Sequence, residues 1–309
     1  MKDVKKVALW TNDVETHSIW FNELRDETGL KVLNEGMPLL LDIYKEYQIK
    51  STFFFTGTMA EKFPGVVKMI LPHQHEVGSH GYSHEPDQAF DLLPYRKQLA
   101  HLKKSKQMLE DISGQEVISF RAPALRVNRL TAEALVEAGF KIDSSVAPQR
   151  FDMFLSFGGV NKLKWLWAPR LPYRAAINNL LKKGRDGVVE VPLSAIIFPY
   201  NGTFMRLFPF ITGGQRRLIH LESTLTGKPV VFDIHPNEFL NEEGEARVIK
   251  RRAGNFMAYL WADWVRGNLK VKNLGKKALP LYKREIEFFK QNKYRVTTLK
   301  DYCRQLGLL

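Results

Sequence analysis

Continuous apolar runs alternate with helical periodicities along this chain. The runs KVALWTND, STFFFTG, HEVGSH, VISFRAP, FKIDSS, VVEVPLS, PVVFDIHP and, less regularly, YRVTTL are apolar on successive residues. Alternation would mark a sheet with one wet face; unbroken runs predict strands buried on both faces, as in a parallel sheet covered by helices. Between them, MPLLLDIYKEYQ, FPGVVKMILP, LPYRKQLAHLKKSKQMLEDISG and TAEALVEAGF have helical spacing, with Pro near their starts and Gly after their ends, as helix termini prefer. Repeated strand–helix units over this length predict an α/β fold, a (β/α) barrel of seven or eight parallel strands. Two stretches break the rhythm. Residues 146–187 and 195–213 mix aromatics, Pro and Arg without a clean period, and are expected to be long insertions at the C-terminal face of the barrel. Residues 238–278 are a basic, partly helical linker before LPLYKREIEFFKQ, so 238–309 reads as a basic C-terminal helical extension of one domain spanning 1–309.

Composition narrows this picture. With 309 residues and 44% hydrophobic content the chain can bury one large core. The first apolar run is broken by Asn12 and Asp13, too early for a signal peptide, and no uncharged stretch of 18 residues occurs; the expectation is a cytoplasmic protein. A lone Cys303 allows no internal disulfide and no cysteine-based zinc site, so any metal would be held by His and carboxylates. The formal charge of +13 calls for an acidic partner. Its cations are scattered, without an aromatic-interleaved basic stripe or a helix-turn-helix pattern, which places nucleic acid below anionic lipid or a phosphorylated small molecule.

Polar residues able to do chemistry fall where the runs finish. Asp13 and Glu15 close the first, His80 and His84 end or follow the third, Arg121 ends the fourth, Asp143 the fifth and His235 the last strong one. In a parallel barrel those ends converge on one face. The two histidines sit four apart in EVGSHGYSHE, with Gly78 and Gly81 permitting a tight backbone. With a carboxylate from the first strand they make a two-His, one-carboxylate set that leaves positions open for water and substrate. His73 and His75 are expected to be surface groups flanking the strand.

The motifs TNDVE, SHGYSH, RAPA and IHPNE, in that order and with STFFFTG between the first two, resemble those of the polysaccharide deacetylase family, carbohydrate esterase family 4, over roughly residues 7–145 and 188–240. The resemblance implies a distorted (β/α) barrel and a metal-dependent hydrolase that removes N-acetyl or N-formyl groups from amino sugars. His80 and His84 match the family's metal histidines. The first motif, Asp13-Val14-Glu15, is similar to the branch with Asp-Val-Asp or Asp-Val-Glu rather than to the usual adjacent aspartates. By that pattern Asp13 is the base and Glu15 the third ligand; Glu is one methylene longer, and the exchanged assignment stays open. Arg121 would hold Asp13 ionised, and the backbone N–H of Ala124 would meet the oxyanion. His235 would protonate the leaving amine, oriented by Asp143, with Asp233 and Glu190 as rivals for that last role.

The implied cofactor is one divalent metal, zinc by default, with cobalt, nickel or iron also suited to these ligands. The implied partner is an N-acylated amino sugar, lipid-linked or nucleotide-linked, in cell-envelope or surface polysaccharide assembly. The competing class is a catalytically inactive barrel that binds a glycan or scaffolds a complex. Phe151, Phe154, Phe157, Trp165, Trp167, Phe198, Phe204, Phe208 and Phe210 lie in the two irregular stretches beside Arg150, Arg170, Arg174 and Arg206. They form either a lid packed on its own barrel or a surface for a lipid phosphate at an anionic membrane.

Overall fold

The computed structural model describes residues 6–149, 165–242 and 265–309. Strands Val7–Val14 (β1), Thr52–Phe55 (β2), Glu76–Ser79 (β3), Ser119–Phe120 (β4) and Ile142–Asp143 (β5) come from the first half of the chain. The hairpin Tyr173–Ala176 (β6) and Asn179–Lys183 (β7) follows, then Val189–Glu190 (β8), Val230–Ile234 (β9) and Arg295–Val296 (β10). They form one sheet in the order β9-β1-β2-β3-β4-β5-β8-β6-β7, with β10 added to β1. Every pairing from β9 through β8 is parallel, and β6 joins β8 antiparallel. The result is a curled, open α/β barrel.

β1 is buried along its whole length, which is why its sequence does not alternate. Its faces nonetheless differ. Val7 and Leu9 point into the barrel with Phe54, Ile118 and Val231, whereas Ala8, Trp10 and Val14 pack outward against the helical layer. Trp10 meets the rings of Phe232, Tyr282 and Phe289 edge-on at centroid distances of 5.2, 5.8 and 6.2 Å. Such aromatic pairs contribute about 0.5–1.5 kcal/mol each beyond simple burial.

The helices Met37–Tyr47 (α1), Gly57–Lys62 (α2), Tyr95–Ser113 (α3) and Thr131–Glu137 (α4) lie where helical spacing predicts them or, for α2, directly after a strand. The second half departs from expectation. Residues 195–213 are not an extended loop: a short hairpin of Ala195–Ile196 with Phe198–Pro199 leads into Gly202–Leu207 (α5) and Pro209–Thr226 (α6). Within 146–187, the described part carries the β6–β7 hairpin, which widens the sheet; the expectations for residues 150–164, including Phe151, Phe154 and Phe157, lie outside the described residues.

The C-terminal third is not an appendage either. After the short helix Arg266–Lys270 (α7), helix Ala278–Gln291 (α8) supplies Tyr282, Ile286 and Phe289 to the main core. Helix Leu299–Gln305 (α9), which the hydrophobic pattern did not predict, places Leu299, Tyr302 and the buried Cys303 in the barrel-interior cluster. Its first residues donate backbone N–H bonds to Thr52 Oγ1 (3.0 Å) and Glu76 Oε2 (2.9 Å). Those are the first residues of β2 and β3, so α9 closes the end of the barrel opposite the strand C-termini.

Candidate active site

Strand periodicity explains the first motif. Side chains two residues apart share a face, so Asp13 continues the inward row of Val7, Leu9 and Thr11. Glu15 follows just past the strand end while Val14 turns into the helical core. The Asp-Val-Glu spacing thus delivers two carboxylates to one interior, both nearly fully buried. On β9, Asp233 pairs in register with Thr11, and His235 follows one residue past the strand.

His80 follows β3, its backbone N–H bonded to Phe55 O at 2.8 Å. Gly81 then takes φ +73°, a conformation that costs glycine nothing and returns the chain so that the His80 and His84 rings lie 5.6 Å apart. His80 Nδ1 is 2.9 Å from Arg121 O. A carbonyl can only accept, so Nδ1 carries the proton and Nε2 presents its lone pair, the arrangement of a metal-binding imidazole. Burial holds both His80 and His84 down to about 4, neutral and ready to ligate.

His80 Nε2 and Glu15 Oε2 are buried without a hydrogen-bond partner, and Glu15 Oε2 is 3.1 Å from His84 Nε2. One donor atom from each of Glu15, His80 and His84 lies within 4.8 Å of the others. Orphaned buried polar atoms cost about 1–3 kcal/mol each, and a divalent cation among these three would satisfy all of them. A second group, Asp13, Asp233 and His235, has the same spacing but fits a cation poorly. Arg121 Nη1 already donates to Asp13 Oδ1 at 3.0 Å and to Asp233 Oδ1 at 2.7 Å, placing a fixed positive charge against both carboxylates.

That second group is a hydrogen-bonded network. Arg121 is fully buried, stacked 4.5 Å from the Phe54 ring centroid, and anchored by Nε to Ser144 O and Nη2 to Ser144 Oγ, each at 3.0 Å. Burial pushes Asp13 up, but His80, Arg121 and His235 together hold it below the usual carboxylate range. Burial and the neighbouring Asp13 raise Asp233. His235 is opposed by burial, yet Asp233 and the bond to Glu238 lift it to about 10. Its Nδ1 is 3.3 Å from Glu238 Oε1, and its Nε2 is 4.0 Å from Glu15 Oε1.

Asp143 does not orient His235. It accepts from Ser145 Oγ at 2.6 Å and lies beside Glu190, its register partner on β8. Ser145 Oγ in turn accepts from Ala122 N at 2.9 Å, so the Asp143-Ser-Ser run supports the turn that carries Ala124. That turn holds Ala124 at φ 51° and Leu125 at φ 55°, left-handed conformations that cost a non-glycine residue about 1–3 kcal/mol each and cluster at functional sites. The residue that orients His235 is Glu238, three positions on in the same motif. It is fully buried and paired with the equally buried Arg206 of α5. Arg206 Nη1 also donates to Lys270 O and Lys272 O at 2.9 Å each.

Pattern reasoning assigned no role to Glu238 or Lys270, and it placed Arg206 against a phosphate where the structure pairs it with Glu238. Glu238 was discoverable, because a carboxylate three residues after a strand-end histidine closes a capping box. Burial pushes Glu15 above the usual carboxylate range, and Lys270, whose charge is among those that oppose this, comes from a distant helix and leaves no local signal. His75 is likewise no surface group: it is buried and accepts from Ser51 N at 3.1 Å. Of the arginines expected to face a phosphate, Arg170 is paired with Glu222, Arg174 with backbone carbonyls and Arg206 with Glu238; Arg150 lies outside the described residues.

With the geometry in hand, the family model for polysaccharide deacetylase matches residues 5–142. Over that segment, less than half of the chain, the sequence is similar to the polysaccharide deacetylase family. A peptidoglycan deacetylase of Helicobacter pylori is 35% identical over 40% of this chain and 41% of its own length. A peptidoglycan-N-acetylglucosamine deacetylase of Bacillus cereus is 36% identical over 29% of this chain and 31% of its own. The chain thus spans less than half the length of these curated relatives. Among solved structures, a candidate polysaccharide deacetylase of Mycobacterium smegmatis superposes with TM-score 0.57 at 20% identity, covering 97% of this chain and 95% of that one. The Puue allantoinase does so with TM-score 0.58 at 16% identity, covering 98% and 91%. At these identities the likenesses show the fold alone, a distorted (β/α) barrel.

Proposed function

We propose that this protein is a metal-dependent hydrolase that removes an N-acyl group, acetyl or formyl, from an amino sugar during envelope or surface polysaccharide assembly. The observation that carries the reading is the juxtaposition of the unpartnered Glu15 Oε2 and His80 Nε2 and the adjacent His84 with an arginine-held aspartate and a charged histidine. The names of the relatives from H. pylori and B. cereus support an N-acetylated amino sugar as substrate.

Glu15, His80 and His84 would hold the ion, zinc by default, with cobalt, nickel or iron as alternatives. Bound there, it would polarise the acyl carbonyl and make water acidic enough to be deprotonated near neutral pH. Asp13, kept ionised by Arg121, takes the proton of the attacking water through Oδ2, the oxygen not bonded to Arg121. The turn at Ala124 supplies a backbone donor to the developing oxyanion. His235, protonated and braced by Glu238, donates to the departing amine. This assigns acid and base to groups whose environments drive their proton affinities apart. The sugar is lipid-linked or nucleotide-linked, and a lipid-linked one would bring the protein against an anionic membrane.

The test is release of acetate or formate, followed by mass spectrometry, from lipid-linked and nucleotide-linked N-acyl sugars and from peptidoglycan fragments, with protein reconstituted with each metal. Stoichiometric metal and turnover of any of these supports the hydrolase reading. Metal-free protein inert on all of them, after reconstitution, refutes it.

A further inference from the structure

Helix α6 is built inside out. The residues it buries are Thr212, Gln215, Arg216, Ile219 and Ser223, polar but for one. The face it presents to solvent carries Phe210, Ile211, Leu218, Leu221 and Leu225, with exposures of 93%, 50%, 53%, 53% and 72%. Spaced at 210, 214, 218, 221 and 225, with Gly214 open on the same face, these positions make one stripe along the helix. A surface helix of a barrel normally does the reverse, and contiguous exposed apolar patches mark interaction sites. The polar underside is satisfied locally: Gln215 donates to Phe198 O at 2.6 Å and Arg216 to Glu285 at 2.9 Å. The orientation of the helix is therefore fixed by the barrel. Beside it, Arg170 pairs with Glu222 of the helix and ties down the 165–171 segment, whose Trp167 is 90% exposed.

Cations outnumber carboxylates around the stripe, and Glu285, the α8 carboxylate that reaches the helix, is engaged by Arg216. From 165 to 185 there is no acidic residue, and between Glu190 and Asp233 there is only Glu222, which is engaged by Arg170 and Lys228. The exposed Arg217 lies within the stripe, and the exposed Arg284 reaches Pro209 O at 3.4 Å at the helix start. We propose that the outward face of α6, with Trp167, is a docking surface for an anionic lipid bilayer. An apolar helix face flanked by cations and an aromatic is the chemistry of an interfacial helix. No described helix is long and apolar enough to cross a membrane, so the contact is peripheral. A second copy of the chain is disfavoured as occupant: two-fold pairing would bring together two copies of a stripe that carries Arg217 and no free carboxylate to offset it. The Phe210 end of α6 follows α5 directly, and Arg206 of α5 is paired with Glu238 beside His235, so the docked helix begins at the site's end of the barrel. The docking itself does not depend on the hydrolase reading, because it is measured without turnover.

The experiment is co-sedimentation of the full chain with vesicles of neutral phosphatidylcholine or of phosphatidylcholine mixed with phosphatidylglycerol, at low and high salt, with the oligomeric state measured in parallel. Wild type is expected to bind the anionic vesicles and to release as salt screens the cations. The triple variant Phe210→Ser, Leu218→Gln, Leu225→Gln, at unchanged circular dichroism, should bind at least about tenfold more weakly. Arg217→Ala should weaken binding and flatten its salt dependence. The proposal is overturned if wild type stays in the supernatant at low salt, or if the triple variant binds as wild type does, which would make the attraction purely electrostatic. It is equally overturned if wild type is a dimer that the triple variant dissociates while vesicle binding is absent.

Discussion

The two halves of the site are equally buried but oppositely satisfied. On the side of Glu15, His80 and His84, Glu15 Oε2 and His80 Nε2 are buried with no hydrogen-bond partner beside His84 Nε2, and burial keeps both histidines neutral. On the other side the charges are paired in two adjacent sets, Arg121 with Asp13 and Asp233, and Glu238 with His235 and Arg206. Unsatisfied polar atoms are tolerated in a core only where something else completes them, whereas a saturated network holds its members in place before substrate arrives. Under the proposed function the first half would be a socket for the ion and the second a preorganised proton-transfer device. The comparison separates ligation from chemistry more sharply than residue types could, since each half contains a carboxylate and a histidine.

Breaking the socket should have the largest effect. His80→Ala or Glu15→Ala is expected to abolish both metal binding and turnover, and to erase the rise in melting temperature that zinc gives the wild type. Metal analysis and thermal scans with and without zinc check this. The proton-transfer half should fail differently. Asp13→Asn and His235→Ala should each lower turnover by about two to four orders of magnitude while metal stays stoichiometric. Should Asp13→Asn empty the socket and Glu15→Gln leave it full, the two carboxylates exchange roles and the division drawn above moves by one residue.

A smaller effect is expected one bond further out. Glu238→Gln keeps the shape but removes the charge that braces His235, and should lower turnover about tenfold to a hundredfold, part of the total that proton transfer supplies. An aryl acetate, whose leaving group needs no proton, should be hydrolysed at nearly the wild-type rate. Loss of both activities alike would mark Glu238 as merely structural.

The smallest effect concerns a histidine outside both halves. His75, which accepts from Ser51 N–H, is held near 4 by burial and by the neighbouring His73 and Lys50, against an unfolded value near 6.5. The folded state therefore binds fewer protons, so the stability contributed is fully present above pH 6.5 and is lost as pH falls toward 4. One such proton changes the slope by at most about 1.4 kcal/mol per pH unit. Urea unfolding across that window should show His75→Gln flattened by about one proton relative to wild type, since His80 and His84 contribute alike to both proteins and cancel.

The order of residues along the chain determined the parallel sheet and the strand ends where chemistry collects. A strand buried on both faces must be apolar throughout, and its first polar residue marks where the interior opens. Asp13, Glu15, His80, His84, Arg121 and His235 were legible for that reason, each standing at the end of such a run. Tertiary structure alone decided their partners. Glu238 rather than Asp143 braces His235, because Asp143 is paired across β5 and β8 with Glu190 and bonded to Ser145. Arg206 reaches Glu238 only because α5 follows a bridge between Asn201 and Asp233. Helix α6 was illegible for the opposite reason: periodicity locates a helix by assuming that its apolar face turns inward, and here the barrel takes the polar face. Which side of a helix is buried is settled by what it packs against, and that information is not local.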